Sequence, residues 1–208
     1  MTSEPAAQPV RHRRRWILLG SLAGAVLAIA VIAIFRPHVY SGVVLQSSEP
    51  APAMDGLVYD TGEPVDVDAL EGDVVLVYFG YTYCPDICPA MLGTVARAID
   101  DLGDRAERVK AMMVTVDPTR DTPEVLSEYV AYFGEGIRGV WGSEGDVRSV
   151  ASGYGVTFSY DEPLADGSYL VAHTGSLFAI DPEGALRIVY PVELTAEALA
   201  ADLRELLG

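Results

Sequence analysis

The chain has 208 residues, half of them hydrophobic, and a formal net charge of −16. Residues 37–208 hold nine Lys or Arg residues against 29 Asp or Glu residues, a formal net charge of −20. A surface this acidic repels phosphate backbones, so nucleic acid is excluded as an expected partner, whereas cations and basic protein surfaces are not.

The N-terminal residues predict a membrane anchor. Residues 1–15 form a basic head, and residues 16–36 form an apolar segment in which Trp16 to Phe35 carry no charge. Twenty apolar residues can cross a hydrocarbon layer as a helix, and the arginines before them favour a cytoplasmic N-terminus. We therefore expect a single-pass protein of the cell membrane with its C-terminal domain on the extracytoplasmic face. A cleaved signal peptide is the alternative.

After the anchor, residues 37–52 are rich in small residues and proline and predict a tether, in which Val43 to Leu45 can form an edge strand. Residues 53–208 have the length of one domain with its own core. The domain begins with a predicted β-hairpin, in which Leu57–Tyr59 and Val65–Val67 flank a turn at Gly62.

The centre of the domain is a run of apolar and β-branched residues, Val74 to Phe79, which predicts a strand buried on both faces. A helix is predicted over Pro89–Leu102 because its apolar residues recur on one face, and a second buried strand is predicted over Lys110–Val116. Strand, helix and strand in this order form a βαβ unit with a parallel pair.

The remaining elements follow the same patterns. They are a helix over Pro123–Phe133 capped by Thr122, a strand over Arg138–Trp141, a helix over Glu144–Ser152, a strand over Val156–Tyr160, a hairpin of Tyr169–Ile180 and Ala185–Tyr190, and a helix over Thr195–Leu207. The predicted fold class is α/β: a mixed sheet with flanking helices in a thioredoxin-like arrangement, entered through the N-terminal hairpin.

The chain has two cysteines, Cys84 and Cys88, where the central strand passes into the first helix. Pro89 fits the first helical position, which would make Cys88 the N-cap. The positive helix end would then lower the pKa of both thiols. Spacing alone allows a disulfide, structural or redox-active, or a shared soft metal ion.

His173 is the single histidine within residues 53–208. A lone histidine is often a structural residue, but two thiolates and one imidazole also suit three-coordinate Cu(I), or Cu(II) with an added oxygen ligand. A structural zinc site would need a fourth protein ligand from cysteine or histidine, and the domain has none to offer. Elimination therefore favours a copper ion.

Four motifs in this order resemble the Sco/SenC family: Gly80 to Pro89 (GYTYCPDICP), Val116 to Pro123 (VDPTRDTP), His173-Thr174, and Asp181 to Gly184 (DPEG). The resemblance implies a membrane-tethered, thioredoxin-like copper metallochaperone that helps to metallate the dinuclear copper centre of cytochrome c oxidase subunit II. It places the metal ligands on Cys84, Cys88 and His173.

The sequence departs from the family pattern at two positions. Tyr83 stands where many members have histidine, and Ala172 stands where an aspartate often precedes the ligand histidine. A carboxylate that orients His173 would have to come from elsewhere, with Asp117 and Asp121 as candidates.

The alternative function is a thiol–disulfide oxidoreductase that reduces the cysteines of the copper target. Cys84 would attack, Cys88 would resolve, and His173 would be dispensable. Either function requires reduced cysteines in a compartment that favours disulfides, so a thiol reductant or another copper chaperone is an expected partner. Peroxide reduction is a weaker alternative, because it needs a cation such as Arg120 beside the attacking thiol.

Overall fold

The computed structural model describes residues 38–46 and 49–208. Within these ranges no helix has both the length and the apolar character that a bilayer crossing requires. The anchor predicted at residues 16–36 lies outside the described residues. Residues 40–208 form one compact unit.

Strand β3 (Val74–Gly80) is the centre of the fold, and all seven of its residues are buried. It pairs in parallel with β4 (Val109–Thr115) on one side and antiparallel with β8 (Leu177–Ile180) on the other. Because both faces and both edges are covered, the strand consists of aliphatic and aromatic residues and one glycine. The predicted central strand and its parallel partner are confirmed.

The other strands of the described residues are β1 (Val43–Val44), β2 (Val58–Tyr59), β5 (Ile137–Trp141), β6 (Phe158–Tyr160), β7 (Val171–His173) and β9 (Leu186–Tyr190). Within this part of the chain, the main sheet has seven strands in the order β1-β9-β8-β3-β4-β5-β2, and a separate two-stranded sheet joins β6 to β7. The helices are α1 (Ile87–Asp100), α2 (Pro123–Ala131), α3 (Glu144–Gly153) and α4 (Ala196–Leu207), with 3-10 turns at Asp68–Leu70 and Gly103–Arg108.

Helices α2, α3 and α4 begin where a Thr or Ser side chain accepts a hydrogen bond from a free backbone N–H group, whereas α1 has no such side-chain cap. Thr122 accepts a hydrogen bond from the backbone N–H of Val125 at the start of α2, and Thr195 accepts one from Ala198 at the start of α4. Helices α1 and α4 pack together, α4 also contacts β3, and α2 lies against β5. The mixed sheet with its helices confirms the predicted α/β class.

The N-terminal hairpin is only partly formed. Tyr59 N–H donates to the Glu63 carbonyl at 2.8 Å and Gly62 adopts a positive φ of 87°, so the chain reverses as predicted. However, β2 is two residues long and pairs with β5 at the edge of the main sheet. In the segment predicted as a tether, β1 pairs antiparallel with β9 as an edge strand.

The prediction of one strand over Tyr169–Ile180 is wrong. The chain forms β7, which pairs with β6, then leaves that sheet and enters the main sheet as β8. Gly175 lies in the connection, where a Cβ atom would come 3.0 Å from the side chain of Val192. The β8–β9 hairpin around Asp181–Gly184 is confirmed. The break matters because His173 is the last residue of β7.

Candidate metal centre

Cys84 and Cys88 lie at the carboxyl end of β3, in the loop and first turn that lead into α1. Cys84 is half-buried and Cys88 is buried, and both are free thiols. The backbone N–H of Cys88 donates to the Sγ atom of Cys84 at 3.4 Å. Gly80 leaves room for this arrangement, because a Cβ atom there would lie 3.1 Å from Cys88 Sγ and 2.7 Å from the Tyr78 ring.

The helix begins two residues earlier than predicted. Asp86 is the N-cap and Ile87 the first helical residue, so Cys88 lies inside the first turn. Pro89 is tolerated there because the first-turn N–H groups have no partner within the helix. The prediction that Cys88 is unusually acidic is also wrong: burial raises its pKa to about 12, although the hydrogen bond from Tyr78 opposes this.

The imidazole of His173 lies against the sulfur of Cys88, with 3.6 Å between Nε2 and Sγ. Its other nitrogen, Nδ1, is 3.1 Å from the carbonyl oxygen of Thr174. A carbonyl only accepts, so Nδ1 carries the proton and the lone pair of Nε2 faces the sulfur. Burial lowers the pKa of His173 below 6.5, which keeps the ring neutral at pH 7.

The ligand atoms of Cys84, Cys88 and His173 all lie within 4.8 Å of one another, the arrangement expected from the sequence. Cys88 Sγ and His173 Nε2 are 3.6 Å apart, close enough for one ion to bind both. Two sulfurs and one imidazole nitrogen form a soft donor set with an incomplete shell.

The carboxylates considered for orienting His173 have other partners. Asp117 bonds to Arg120 and accepts from the Tyr169 hydroxyl at 3.0 Å. Asp121 accepts from the backbone N–H of Thr82 at 3.0 Å. The suggestion that one of them orients the ring is wrong, because the carbonyl of Thr174 does so.

Asp121 holds the cysteine loop instead. Its buried carboxylate accepts from the hydroxyl of Thr82 at 2.5 Å and from that of Thr115 at 2.7 Å. Burial raises the pKa of Asp121 above its usual 3.8, against the effect of the hydrogen bonds from Thr82 and Thr115. The loop that carries Cys84 is thereby attached to the end of β4.

Sequence reasoning missed Tyr78. Its side chain is fully buried beneath the site, and its hydroxyl donates to Cys88 Sγ at 3.5 Å. The ring of Tyr78 also meets His173 edge-on, with centroids 6.3 Å apart. A tyrosine in a strand buried on both faces needs a partner for its hydroxyl, and that need was the available signal.

Three comparisons place these features among known proteins. The SCO1/SenC family model matches residues 56–208. An SCO2-like protein of Rickettsia prowazekii (strain Madrid E) is 31% identical over 144 residues, which cover 69% of this chain and 70% of that protein.

Two solved structures share the fold. The structure of Bradyrhizobium japonicum ScoI with copper bound has 31% identity and a TM-score of 0.67, over 80% of this chain and 99% of that one. Apo Sco1 from Thermus thermophilus has 34% identity and a TM-score of 0.68, over 81% of this chain and 96% of that one.

Proposed function

Because the chain belongs to the SCO1/SenC family, we propose that it is a copper-binding metallochaperone acting in cytochrome c oxidase assembly. The observation that carries the proposal is that two cysteine sulfurs and one imidazole nitrogen lie within 4.8 Å of one another. The copper bound to the Bradyrhizobium relative supports copper as the ion that these atoms hold.

The proposed acceptor is the dinuclear copper centre of cytochrome c oxidase subunit II. Cys84 is half-buried whereas Cys88 is buried, so an incoming thiolate would displace Cys84 before Cys88. Three ligands leave an open position for the acceptor, whereas a closed four-ligand shell would retain the metal. Both Cu(I) and Cu(II) are compatible with this donor set.

The acceptor would approach over a groove of about 370 Å³ beside the ligands, lined by Cys84 and His173 among others. Asp86 and Asp161 also line the groove. Tyr83 (59% exposed), Ile87 (41%) and Leu170 (48%) lie within three residues of a ligand in the chain, and Val192 (43%) lies beside Gly175, two residues after His173. A partner with apolar residues flanked by basic ones would fit this surface.

Copper titration of the purified protein tests the ligand set. Cys84→Ser, Cys88→Ser and His173→Ala should each weaken binding and shift or remove the thiolate-to-copper charge-transfer band. His38→Ala is the matched control, because His38 lies outside the three-ligand cluster. Wild-type affinity in all three ligand variants would refute the proposal.

We also propose that residues 16–36 anchor the protein in the cell membrane, with residues 53–208 on the extracytoplasmic face. The charge-free run and the arginines before it support this. Deletion of residues 1–36 should move the protein from the membrane fraction to the soluble fraction. Membrane retention of the deleted protein would refute the anchor.

The second candidate function is thiol–disulfide exchange, which the adjacent free thiols favour. The Cys84 thiolate would attack a target disulfide, and Cys88 would then displace the target as a dithiol. The products are a Cys84–Cys88 disulfide and a target reduced by two electrons, so a thioredoxin-like reductant must restore the pair. Loss of oxidase assembly with Cys84→Ser but not with His173→Ala would favour this function over copper delivery.

A further inference from the structure

The ligands come from two parts of the chain that belong to different sheets. The cysteines follow β3 of the main sheet, whereas His173 ends β7 of the separate two-stranded sheet. The chain reaches β7 through residues 161–168, all of which are exposed. The position of His173 therefore depends on the contacts between β7 and the cysteine loop.

Arg120 makes one such connection by closing a ring of polar contacts. Its Nε atom bonds to the fully buried carboxylate of Asp117, and its Nη1 atom donates to the carbonyl of Tyr169 at 3.0 Å. The hydroxyl of Tyr169 donates to the same carboxylate at 3.0 Å. Tyr169 lies two residues before β7, so this ring ties the start of β7 to the turn after β4.

The same guanidinium also contacts the cysteine loop. Its central carbon lies 3.6 Å from the centroid of the Tyr169 ring and 4.8 Å from that of Tyr83, the residue before Cys84. Its Nη2 atom is buried and has no hydrogen-bond partner among the described residues. Stacking between aromatic rings suits a guanidinium, because it is planar and weakly hydrated.

Tyr81 reinforces the connection. The backbone N–H of Val171, the first residue of β7, donates to the hydroxyl of Tyr81 at 3.3 Å. The ring of Tyr81 meets the His173 ring edge-on, with 5.8 Å between the centroids. The central carbon of the Arg120 guanidinium lies 5.9 Å from the centroid of the Tyr81 ring. Arg120 thus contacts residues on both sides of the ligand set.

We propose that Arg120 is a positioning residue that joins the two halves of the ligand set: its contacts with Tyr83 and Tyr169 keep the His173 ring beside the Cys84 and Cys88 sulfurs. The inference rests on the proposed function only where it treats the His173 ring as a copper ligand. The juxtaposition of β7 and the cysteine loop can be tested without metal.

Arg120→Lys is the primary variant, because it keeps the positive charge near Asp117 but cannot bond to Asp117 and the Tyr169 carbonyl while stacking on two rings. Tyr169→Phe is the second variant, since it removes only the hydroxyl bonded to Asp117. Arg138→Lys is the matched control. Arg138 also pairs with a carboxylate, Asp60, and lies 4.6 Å from a tyrosine ring, but it is not among the contacts of the ligand set.

The first measurement is amide hydrogen exchange across residues 170–174 in the metal-free, full-length protein. Arg120→Lys should accelerate exchange there by about tenfold or more, and Tyr169→Phe by a smaller factor, because β7 is then held less firmly and the amide of Val171 leaves the hydroxyl of Tyr81 more often. Arg138→Lys should leave the segment unchanged. Unchanged exchange in Arg120→Lys, or equal acceleration in Arg138→Lys, would overturn the proposal.

The second measurement uses the protein loaded with Cu(II). Arg120→Lys should lose most of the imidazole nitrogen coupling in pulsed EPR and keep the thiolate-to-copper absorption band, whereas Arg138→Lys should keep both. Retained imidazole coupling in Arg120→Lys would overturn the proposal. If the wild-type protein binds no copper, the metallochaperone function fails, and the exchange measurement still decides the role of Arg120.

Discussion

At the scale of single residues, the Cys88 thiol is less acidic than the helix N-terminus led us to expect. Cys88 lies inside the first turn of α1, where a positive helix end favours a thiolate, yet its side chain is fully buried. Burial removes the solvation of the charged form, and this cost exceeds the stabilisation from the hydrogen bonds with the Tyr78 side chain and the Tyr81 backbone. The buried sulfur therefore needs a metal ion before it ionises readily.

We predict that Cys88 reacts slowly with alkylating reagents below pH 10 in the metal-free protein. Its pKa of about 12 leaves roughly one sulfur in 10⁴ as thiolate at pH 8, four units lower. The rate should be measured in Cys84→Ser against pH with iodoacetamide, and Tyr78→Phe in this background should slow it further. An inflection near the ordinary cysteine pKa would contradict the prediction.

Burial also raises the pKa of Asp121, which makes the stability of the protein depend on pH. Its pKa is raised, so the folded state binds the proton more tightly than the unfolded chain does. This contribution to stability is complete below pH 3.8 and is lost as the pH rises through the folded-state pKa. We predict that the stability of the wild type relative to Asp121→Asn falls with rising pH across that window.

The measurement is urea unfolding of both proteins between pH 3 and pH 7, with Asp166→Asn as the control. Hydrogen bonds from Ser168 lower the pKa of the exposed Asp166. The stability of the wild type relative to Asp166→Asn should therefore rise with pH, the opposite of the change expected for Asp121→Asn. If the stability of the wild type relative to Asp121→Asn rose with pH instead, the hydrogen bonds to the Asp121 carboxylate would outweigh its burial.

At the scale of elements, the site depends on how β3 passes into α1. Strand β3 ends at Gly80, and α1 begins at Ile87 after a loop attached to β4 through Thr82 and Asp121. A side chain at position 80 would collide with the Tyr78 ring and press on the Cys88 sulfur. This glycine is needed for close approach and not for a positive φ, since φ at Gly80 is not in that region.

The second glycine near this junction has no comparable role, and we predict that Gly93→Ala stabilises the protein. Gly93 lies within α1, and a Cβ atom there would find its nearest neighbour, the guanidinium of Arg97, at 3.9 Å. Alanine in a helix interior is favoured over glycine by about 0.5–1 kcal/mol. Gly80→Ala should have the opposite effect and lower the free energy of unfolding by about 1–3 kcal/mol, because the added methyl group overpacks the site.

Denaturant unfolding measures both changes, and copper titration shows whether the site survives them. Gly93→Ala should leave copper binding unchanged, whereas Gly80→Ala should weaken it because the displaced sulfur belongs to a proposed ligand. A stabilising effect of Gly80→Ala would mean that Tyr78 and Cys88 can move aside at little cost.

At the scale of the whole molecule, negative charge is the dominant surface property. Residues 37–208 carry a formal net charge of −20, with nine cationic side chains to offset 29 acidic ones. Several of those cations are already committed to structural pairs, as Arg120 is with Asp117 and Arg187 is with Asp181. Self-repulsion among the remaining acidic groups opposes folding, and dissolved salt screens it.

We therefore predict that salt stabilises the unit formed by residues 40–208. Raising the NaCl concentration from about 0.05 M, with a Debye length of about 14 Å, to about 0.5 M, with one of about 4 Å, should raise the urea midpoint of unfolding. Potassium chloride should act equally, because screening depends on ionic strength. A fall in the midpoint with salt would show that attractive ion pairs outweigh the net repulsion.

The sequence by itself determined the elements whose patterns are local: the buried run of β3, the amphipathic α1, the cap at Thr122, and the turn of the β8–β9 hairpin. It also identified the three ligand candidates, because cysteine and histidine are rare in this chain. The tertiary structure decided which sheet β7 joins, that Cys88 is too buried to be acidic, and how Arg120 lies between the two ligand-bearing segments. These features depend on pairing and desolvation between residues distant in sequence, which no local pattern encodes.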